Sequence, residues 1–304
     1  MFRHGRFVLF AFLFAGIAHA QFLQQVLNVE KTLPDSQRDV VAQLENLSHL
    51  PSGQWRYHAG DLPHAEDPTL DDSSWPVAQV DATYPKEALW FRQWVEVPKT
   101  LNGYDLSGTR IWFKFSAWAN GPLPQIIYFN GRRAAMGDDL EQVVLFDQAK
   151  PGDRVLVAVK LLPTVDNKHF AGSPMNITFA SGRPSPQDMG EEFLSAFVLI
   201  PSLSKDPSAD KATLDKAIGQ VDLKALASAN QQQFDDSLRA AQSTLEALRP
   251  MMDRATLHLT GNSHIDAAWL WPWTETVQTV RNTFSTALQL MNEYPGYTYT
   301  QSAA

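Results

Sequence analysis

The run TLHLTGNSHIDAAWLWPW occupies residues 256–273 and contains the pattern that decides the fold of the C-terminal part. Residues 256–260 alternate polar and apolar side chains, which predicts a β-strand. Residues 275–293 place apolar side chains at helical spacing, and residues 297–301 predict a second strand. A strand, a helix and a strand in this order predict a parallel βαβ unit. One such unit cannot cover both faces of its sheet, so we expect residues 254–304 to be the truncated start of a larger α/β domain.

Two potential metal ligands, His264 and Asp266, follow the first predicted strand. In extended backbone they point to the same side, with Cα atoms roughly 6.5–7 Å apart. An imidazole nitrogen and a carboxylate oxygen, each about 2.0–2.2 Å from a metal, can converge across that gap. Active sites of parallel α/β domains are built at the carboxyl ends of strands. A pair of this kind is more commonly hydrogen-bonded than metal-bound, so both interpretations stay open on the residues alone.

Three tryptophans follow this pair at positions 269, 271 and 273. Their flat apolar faces suit the C–H surface of a sugar ring. The alternative is that they fill the mouth of the domain, which is the interpretation we favour for Trp271 and Trp273.

The segment resembles the start of the catalytic domain of glycoside hydrolase family 38, the retaining α-mannosidases, and most of all their cytosolic and vacuolar branch. The resemblance is dense over the last 45 or so residues, and it is carried by residues 260–272, 275–277, 284–286, 288, 290–291, 293–295 and 301–302. It implies a (β/α)7 barrel in which His264 and Asp266 bind Zn²⁺ or a similar divalent cation, and in which Trp269 packs against the mannose. The implied substrate is a mannose-containing oligosaccharide.

The same resemblance implies that no catalytic residue lies within this chain. In the family the nucleophilic Asp, the acid/base carboxylate and a second Asp and His pair of metal ligands come later, downstream of Ala304 here. We therefore expect the 304-residue fragment to be inactive. The chain also departs from the branch pattern at Asn282, where Arg is usual, and at Ala303, where Gln is common.

Short alternating and aromatic runs dominate residues 53–181, separated by turn residues such as Asn102-Gly103 and Asn130-Gly131. Several short strands without helical periods between them predict a β-sandwich. Three patterns in this region, at residues 71–75, 90–92 and 129–131, look like the galactose-binding-type jelly roll that precedes the catalytic domain in many β-galactosidases. We interpret Trp75 as a core anchor rather than a ligand contact.

The N-terminus has the features of a secretory signal. A basic start is followed by an apolar run at residues 7–17 and by Ala18-His19-Ala20, a small-x-small cleavage pattern. The run is shorter than the roughly 20 residues that a bilayer requires. We expect an exported protein, periplasmic or extracellular, with no membrane span after cleavage.

Composition excludes several function classes. The absence of cysteine excludes disulfides and thiolate chemistry, and a formal net charge of −8 makes nucleic acid a poor partner. The predicted fold class is a multidomain α+β protein. It consists of a signal peptide at 1–20, an N-terminal helical segment at 21–52, a jelly-roll β-sandwich at 53–181, a helical connector at 182–253, and the first βαβ of a truncated (β/α)7 barrel at 254–304.

Two other functions fit the same sequence. The sandwich could be a non-catalytic carbohydrate-binding module, in which case an exposed aromatic face on it would bind sugar without a metal. Alternatively, His264 and Asp266 could belong to another zinc metallohydrolase that activates water for amide or phosphate chemistry.

Overall fold

The computed structural model describes residues 32–180, 182–254, 256, 260–266 and 272–302. The chain forms two compact units, one that extends through Met251 and one that begins at Met252. The predicted signal peptide at 1–20 lies outside the described residues, and the division into five segments stays a prediction. Within the part of the chain that is described, no helix is long and apolar enough to traverse a bilayer.

The first described helix, α1, comprises Asp35–Glu45 and buries Val40, Val41 and Leu44, as its apolar spacing predicts. It begins directly after Pro34, which is its N-cap residue. A strand, β1 (His49–Leu50), follows and pairs with a later strand through His49 and Asn176. The end of the predicted helical segment therefore belongs to a sheet.

The middle region of the first unit is built from antiparallel strands. After β1 they are β2 (Arg56–Ala59), β3 (Thr83–Tyr84), β4 (Leu89–Glu96), β5 (Arg110–Phe113), β6 (Ser116–Trp118), β7 (Gln125–Phe129), β8 (Arg132–Gly137), β9 (Val143–Phe146), β10 (Arg154–Leu161), β11 (Lys168–Gly172) and β12 (Met175–Thr178). They form three sheets with the orders β1-β12-β5-β9, β2-β4-β10-β7-β8 and β3-β11-β6.

Buried aromatic rings from all three sheets meet in one core. The ring centroids of Phe91 on β4 and Phe170 on β11 are 5.5 Å apart, and the Phe115 ring stacks on Phe170 with centroids 4.9 Å apart. Trp55 contacts both Phe115, at 5.3 Å, and Phe113 on β5, at 6.0 Å. Burial of such rings dominates core energetics. The expectation of a mixed α and β chain with antiparallel sheets is confirmed, whereas the jelly-roll connectivity stays a prediction.

A second, smaller core lies where the loop between β2 and β3 covers Trp90 and Ala158. Trp75 is 8% exposed within it, and the Arg92 guanidinium lies 5.7 Å from its ring. The core position predicted for Trp75 therefore agrees with its burial. Arg92 itself is 1% exposed and bonds to Asp72 and to three loop carbonyl oxygens.

Helices follow the sheets: α2 (Pro186–Leu203), α3 (Pro207–Gly219), α4 (Leu223–Ala227), α5 (Gln231–Leu245), a 3-10 turn (Glu246–Leu248) and α6 (Arg249–Met252). α5 buries Phe234, Leu238 and Ala241, which recur at helical spacing along one face. Four prolines of this region are accommodated in helices. Pro186 and Pro207 begin helices, where the missing N–H costs nothing, while Pro201 and Pro250 lie within α2 and α6.

Tyr104 joins the sheets to this helical layer. Its hydroxyl donates to Asp235 Oδ1 on α5 at 3.0 Å, and the Arg183 guanidinium lies 4.5 Å from its ring. Gln231 Nε2 also donates to Asp235 Oδ1, at 2.7 Å. Burial raises the pKa of the Tyr104 phenol well above its usual range, so the hydroxyl stays protonated and remains a donor.

The Tyr104→Phe variant is expected to lower the free energy of unfolding by about 1–2 kcal/mol, because a hydrogen bond to a buried carboxylate is lost. Urea denaturation followed by circular dichroism measures the change. The control is Tyr294→Phe, at a position that is 59% exposed, which should shift stability by less than about 0.5 kcal/mol. Equal effects of the two substitutions would contradict the assignment.

The second unit contains β13 (Gly261–His264), α7 (Trp273–Glu293) and β14 (Tyr299–Ser302). The two strands pair in parallel, with Gly261 opposite Tyr299. The predicted strand–helix–strand order is therefore observed, and the barrel stays a prediction. The first strand lies later than expected: Thr256 and Thr260 are not in it, and residues 257–259 are outside the described set.

The helix α7 turns an unexpected side inward. Thr276 and Ala287 are its buried residues, at 4% and 5% exposure. The apolar stripe that defined this helix in the sequence is largely exposed, including Phe284 at 39% and Leu288 at 62%. The fully buried positions of the helix are therefore small side chains, and its larger apolar side chains are largely exposed, although the Phe284 ring keeps an edge contact with the Tyr299 ring.

Candidate metal centre

The His264 and Asp266 pair stands at the carboxyl end of a parallel strand. His264 is the last residue of β13, and Asp266 follows two residues later. Ile265 between them is 7% exposed, whereas the side chains of His264 and Asp266 are 58% and 33% exposed. This alternation places the two polar groups on one side and anchors the backbone by the apolar group on the other.

The two side chains face each other. His264 Nε2 lies 2.7 Å from Asp266 Oδ1, a hydrogen-bonding distance. Two ligand atoms bound to one tetrahedral zinc ion, each about 2.1 Å from the metal, lie roughly 3.4 Å from each other. The pair must therefore open by about 0.7 Å to share a metal, a movement that two partly exposed side chains can make. The geometry shown is that of the hydrogen-bonded pair, and it suits a cation after this small adjustment.

A zinc site normally takes three or four protein ligands. Across the described residues, no group of three or more His, Cys, Asp or Glu side chains is placed to hold a metal. The chemistry of the pair fits zinc, which accepts imidazole nitrogen and carboxylate oxygen, but the pair supplies only two positions. A zinc ion bound by this pair would need further ligands.

Polar groups on the opposite face of β13 hold the strand in place. Ser263 is half-buried, and its hydroxyl hydrogen-bonds to the Tyr299 hydroxyl and to Gln301 on β14. Tyr299 also contacts Phe284 of α7, with ring centroids 6.1 Å apart. The helix therefore packs on the face of the two-stranded sheet that contains Ser263 and Tyr299. His264 therefore lies on the face away from α7. The supporting roles of Ser263 and Tyr299 were not predicted from the sequence, although the alternation of Ser263 with His264 places it on the opposite face of the strand.

Gly261 begins β13 at a point of close packing. A Cβ atom there would collide with the Tyr297 hydroxyl. The start of β13 therefore packs closely against Tyr297, which lies in the segment just before β14.

The predicted sugar platform cannot be placed. Trp269 and Trp271 fall outside the described part of the chain, so the assignment of Trp269 stays a prediction. Trp273 opens α7 and is 61% exposed.

Residues 254–304 match the sequence model of the glycosyl hydrolases family 38 N-terminal domain. The resemblance to family 38 is thereby confirmed for this segment, which contains both His264 and Asp266.

The relatives are alpha-mannosidases. Over 49 residues the chain is 49% identical to alpha-mannosidase 2C1 of Homo sapiens, a match covering 16% of this chain and 5% of the relative. It is 43% identical over 44 residues to the alpha-mannosidase of Saccharomyces cerevisiae, covering 14% of this chain and 4% of the relative. The chain thus spans about one twentieth of the length of the curated relatives it matches.

Solved structures give weaker similarity. A glycosyl hydrolase family 2 member from Bacteroides cellulosilyticus superposes with a TM-score of 0.33 and 18% identity, over 41% of this chain and 20% of that one. A Bacteroides uniformis beta-glucuronidase superposes with a TM-score of 0.33 and 13% identity, over 41% of this chain and 17% of that one. These values are too low to support an argument about this chain.

Proposed function

We propose that this chain is the N-terminal part of a retaining, metal-dependent α-mannosidase that hydrolyses terminal α-mannosides of glycans. One observation carries the proposal: within the segment that matches family 38, His264 and Asp266 face each other at the end of a parallel strand. The names of the relatives support the choice of mannosides. Export after cleavage at residue 20 belongs to the same proposal.

The residues of this chain have binding and positioning roles in the proposed reaction. His264 and Asp266 would hold the divalent cation, and Trp269 would stack against the sugar. When bound, the cation would supply Lewis acidity toward the hydroxyls of the mannose. Retaining hydrolysis also requires a carboxylate nucleophile and an acid/base carboxyl. We propose that both are encoded downstream of Ala304, and that this chain alone is inactive.

The complete open reading frame that contains this chain is expected to hydrolyse 4-nitrophenyl α-mannoside with retention, since it would supply the two carboxyls. The 304-residue chain should show no hydrolysis. A chromogenic assay measures the rate, NMR of the first-formed sugar reports its anomeric configuration, and chelation followed by zinc addition reports metal dependence. Absence of α-mannosidase activity in the complete protein would refute the proposal.

Variants of the complete protein separate the metal ligands from their surroundings. His264→Ala and Asp266→Asn should each weaken zinc retention and lower kcat/KM by at least about 10–100-fold, because a direct ligand matters no less than the groups that support one. His49→Ala and Asp253→Asn, at exposed positions of the same residue types, should change neither. Mass spectrometry measures the zinc content of each variant directly. An unchanged zinc content in His264→Ala would exclude His264 as a ligand.

A different zinc metallohydrolase is the second candidate, because the same pair could activate water for amide or phosphate chemistry. Hydrolysis of peptide or phosphate ester substrates, without activity on α-mannosides, would favour it.

A further inference from the structure

Trp118 on β6 is an unusual exposed aromatic residue. It is 55% exposed, yet its ring is held firmly: it stacks on the His169 ring of β11 at 4.0 Å, with planes only 10° apart. The two residues are direct cross-strand partners in the β3-β11-β6 sheet. Such pairs fix side-chain positions on a sheet surface.

One face of the Trp118 indole is open. His169 covers the face that looks toward the centre of the sheet, because β11 is the central strand. Strand β6 is at the edge, and no strand of the described residues pairs with its outer side. The second indole face therefore points off the edge of the sheet. An edge strand also presents backbone N–H and C=O groups in that direction.

Trp94 on β4 shows how an exposed indole is otherwise occupied in this protein. Its side chain is 39% exposed, but the Arg154 guanidinium lies over its ring at 4.2 Å. This cation–π contact uses the available face. Both tryptophans lie in the first unit, so Trp94, whose ring face is covered, is a suitable control for Trp118, whose outer face is open.

The surroundings of Trp118 favour a small polar ligand with one apolar face. Asn120, two residues after Trp118, is an exposed polar residue. A stable protein interface needs about 800 Å² per partner, which one ring does not provide. A pyranose ring has a C–H face of about the size of an indole and a rim of hydroxyls that edge groups can bind.

We propose that Trp118, held against His169 at the edge of β6, is a stacking site for one sugar ring of a neutral glycan. The choice of α-mannan as that glycan rests on the proposed function. The site would retain a polymeric substrate on the first unit independently of hydrolysis. It requires no metal, and the negative charge of the chain does not repel a neutral sugar.

The test uses the 304-residue chain, soluble α-mannan as the probe and cellohexaose as a second glycan. Affinity electrophoresis in chelator gives the dissociation constant. Trp118→Ala should weaken mannan binding at least about tenfold, since the stacking contact is lost. Trp118→Phe should retain part of the binding, and His169→Ala should weaken it several-fold by releasing the ring. Trp94→Ala, the matched control, should bind like the unaltered chain.

Four results would overturn the proposal. Three of them are absence of binding to either glycan by the unaltered chain, unchanged binding by Trp118→Ala, and a change in the sedimentation of Trp118→Ala that marks the surface as a contact between copies. The fourth is loss of binding in His264→Ala, which would place the sugar in the second unit. Mannan binding that depends on Trp118 in a protein without mannosidase activity would support this site while refuting the proposed function.

Discussion

The Arg92→Ala variant is expected to lose about 3–5 kcal/mol of unfolding free energy, because the buried Arg92 guanidinium donates hydrogen bonds to four acceptors of one loop. Arg92 Nε donates to Asp72 Oδ2 at 2.7 Å, and its two terminal nitrogens donate to the carbonyl oxygens of Ala65, Asp67 and Leu70 at 2.7, 3.0 and 3.1 Å. Removing the guanidinium leaves these acceptors without their donor. Urea denaturation of the first unit measures the loss.

The control for this variant is Arg110→Ala. Arg110 pairs with Asp147 at the surface, where the two side chains are 46% and 66% exposed. Solvent screening limits such a pair to about 0–1 kcal/mol. Limited proteolysis should cut the loop between β2 and β3 in Arg92→Ala but not in Arg110→Ala. A loss below 1 kcal/mol in Arg92→Ala would show that water replaces the guanidinium at little cost.

The Gly103→Ala variant is expected to cost about 3 kcal/mol, from two causes that add. Gly103 has a φ of +91°, which L side chains rarely adopt, and such strain costs about 1–3 kcal/mol. A Cβ atom at this position would also collide with the backbone carbonyl oxygen of Leu226 in α4. Backbone cannot rotate away as a side chain can, so α4 has to move. Thermal or urea unfolding measures the sum.

Gly108 separates the two causes, since it has a φ of +75° and no atom within 4 Å of an added Cβ. Gly108→Ala should therefore show the conformational strain alone, about 1 kcal/mol. Equal losses at Gly103 and Gly108 would mean that the approach of α4 contributes nothing. A larger loss at Gly103 is the expected result.

Within the predicted sandwich, the strands most evident from the sequence are those with long apolar runs. β4 and β10 are buried along most of their length and pair with each other through eight residues, from Arg154–Glu96 to Leu161–Leu89. β8 has no such run, because all of its residues except Met136 are polar or small and it lies at the edge of its sheet. The Asn130-Gly131 turn, with φ values of +48° and +78°, holds it in a hairpin with β7.

Buried charges could not be predicted from composition. Lys168 is fully buried, and its ammonium donates to the carbonyl oxygens of Pro85, Lys86 and Glu87. Desolvation lowers its pKa from the usual value. A lysine in a sequence is expected at the surface, and only the path of the loop before β4 brings these carbonyls to it.

The sequence by itself determined the local features: the helical stripe of α5, the βαβ order, and the spacing that puts His264 and Asp266 on one side. These follow from periods of 3.6 and 2 residues, which each segment carries alone. Tertiary structure decided the 2.7 Å separation of the pair, the side of α7 that packs inward, and the contacts of Arg92 and Trp118. The contacts of Arg92 with Asp72 and of Trp118 with His169 join residues that are 20 and more than 50 positions apart in the chain, and only the packed fold selects which distant residues meet.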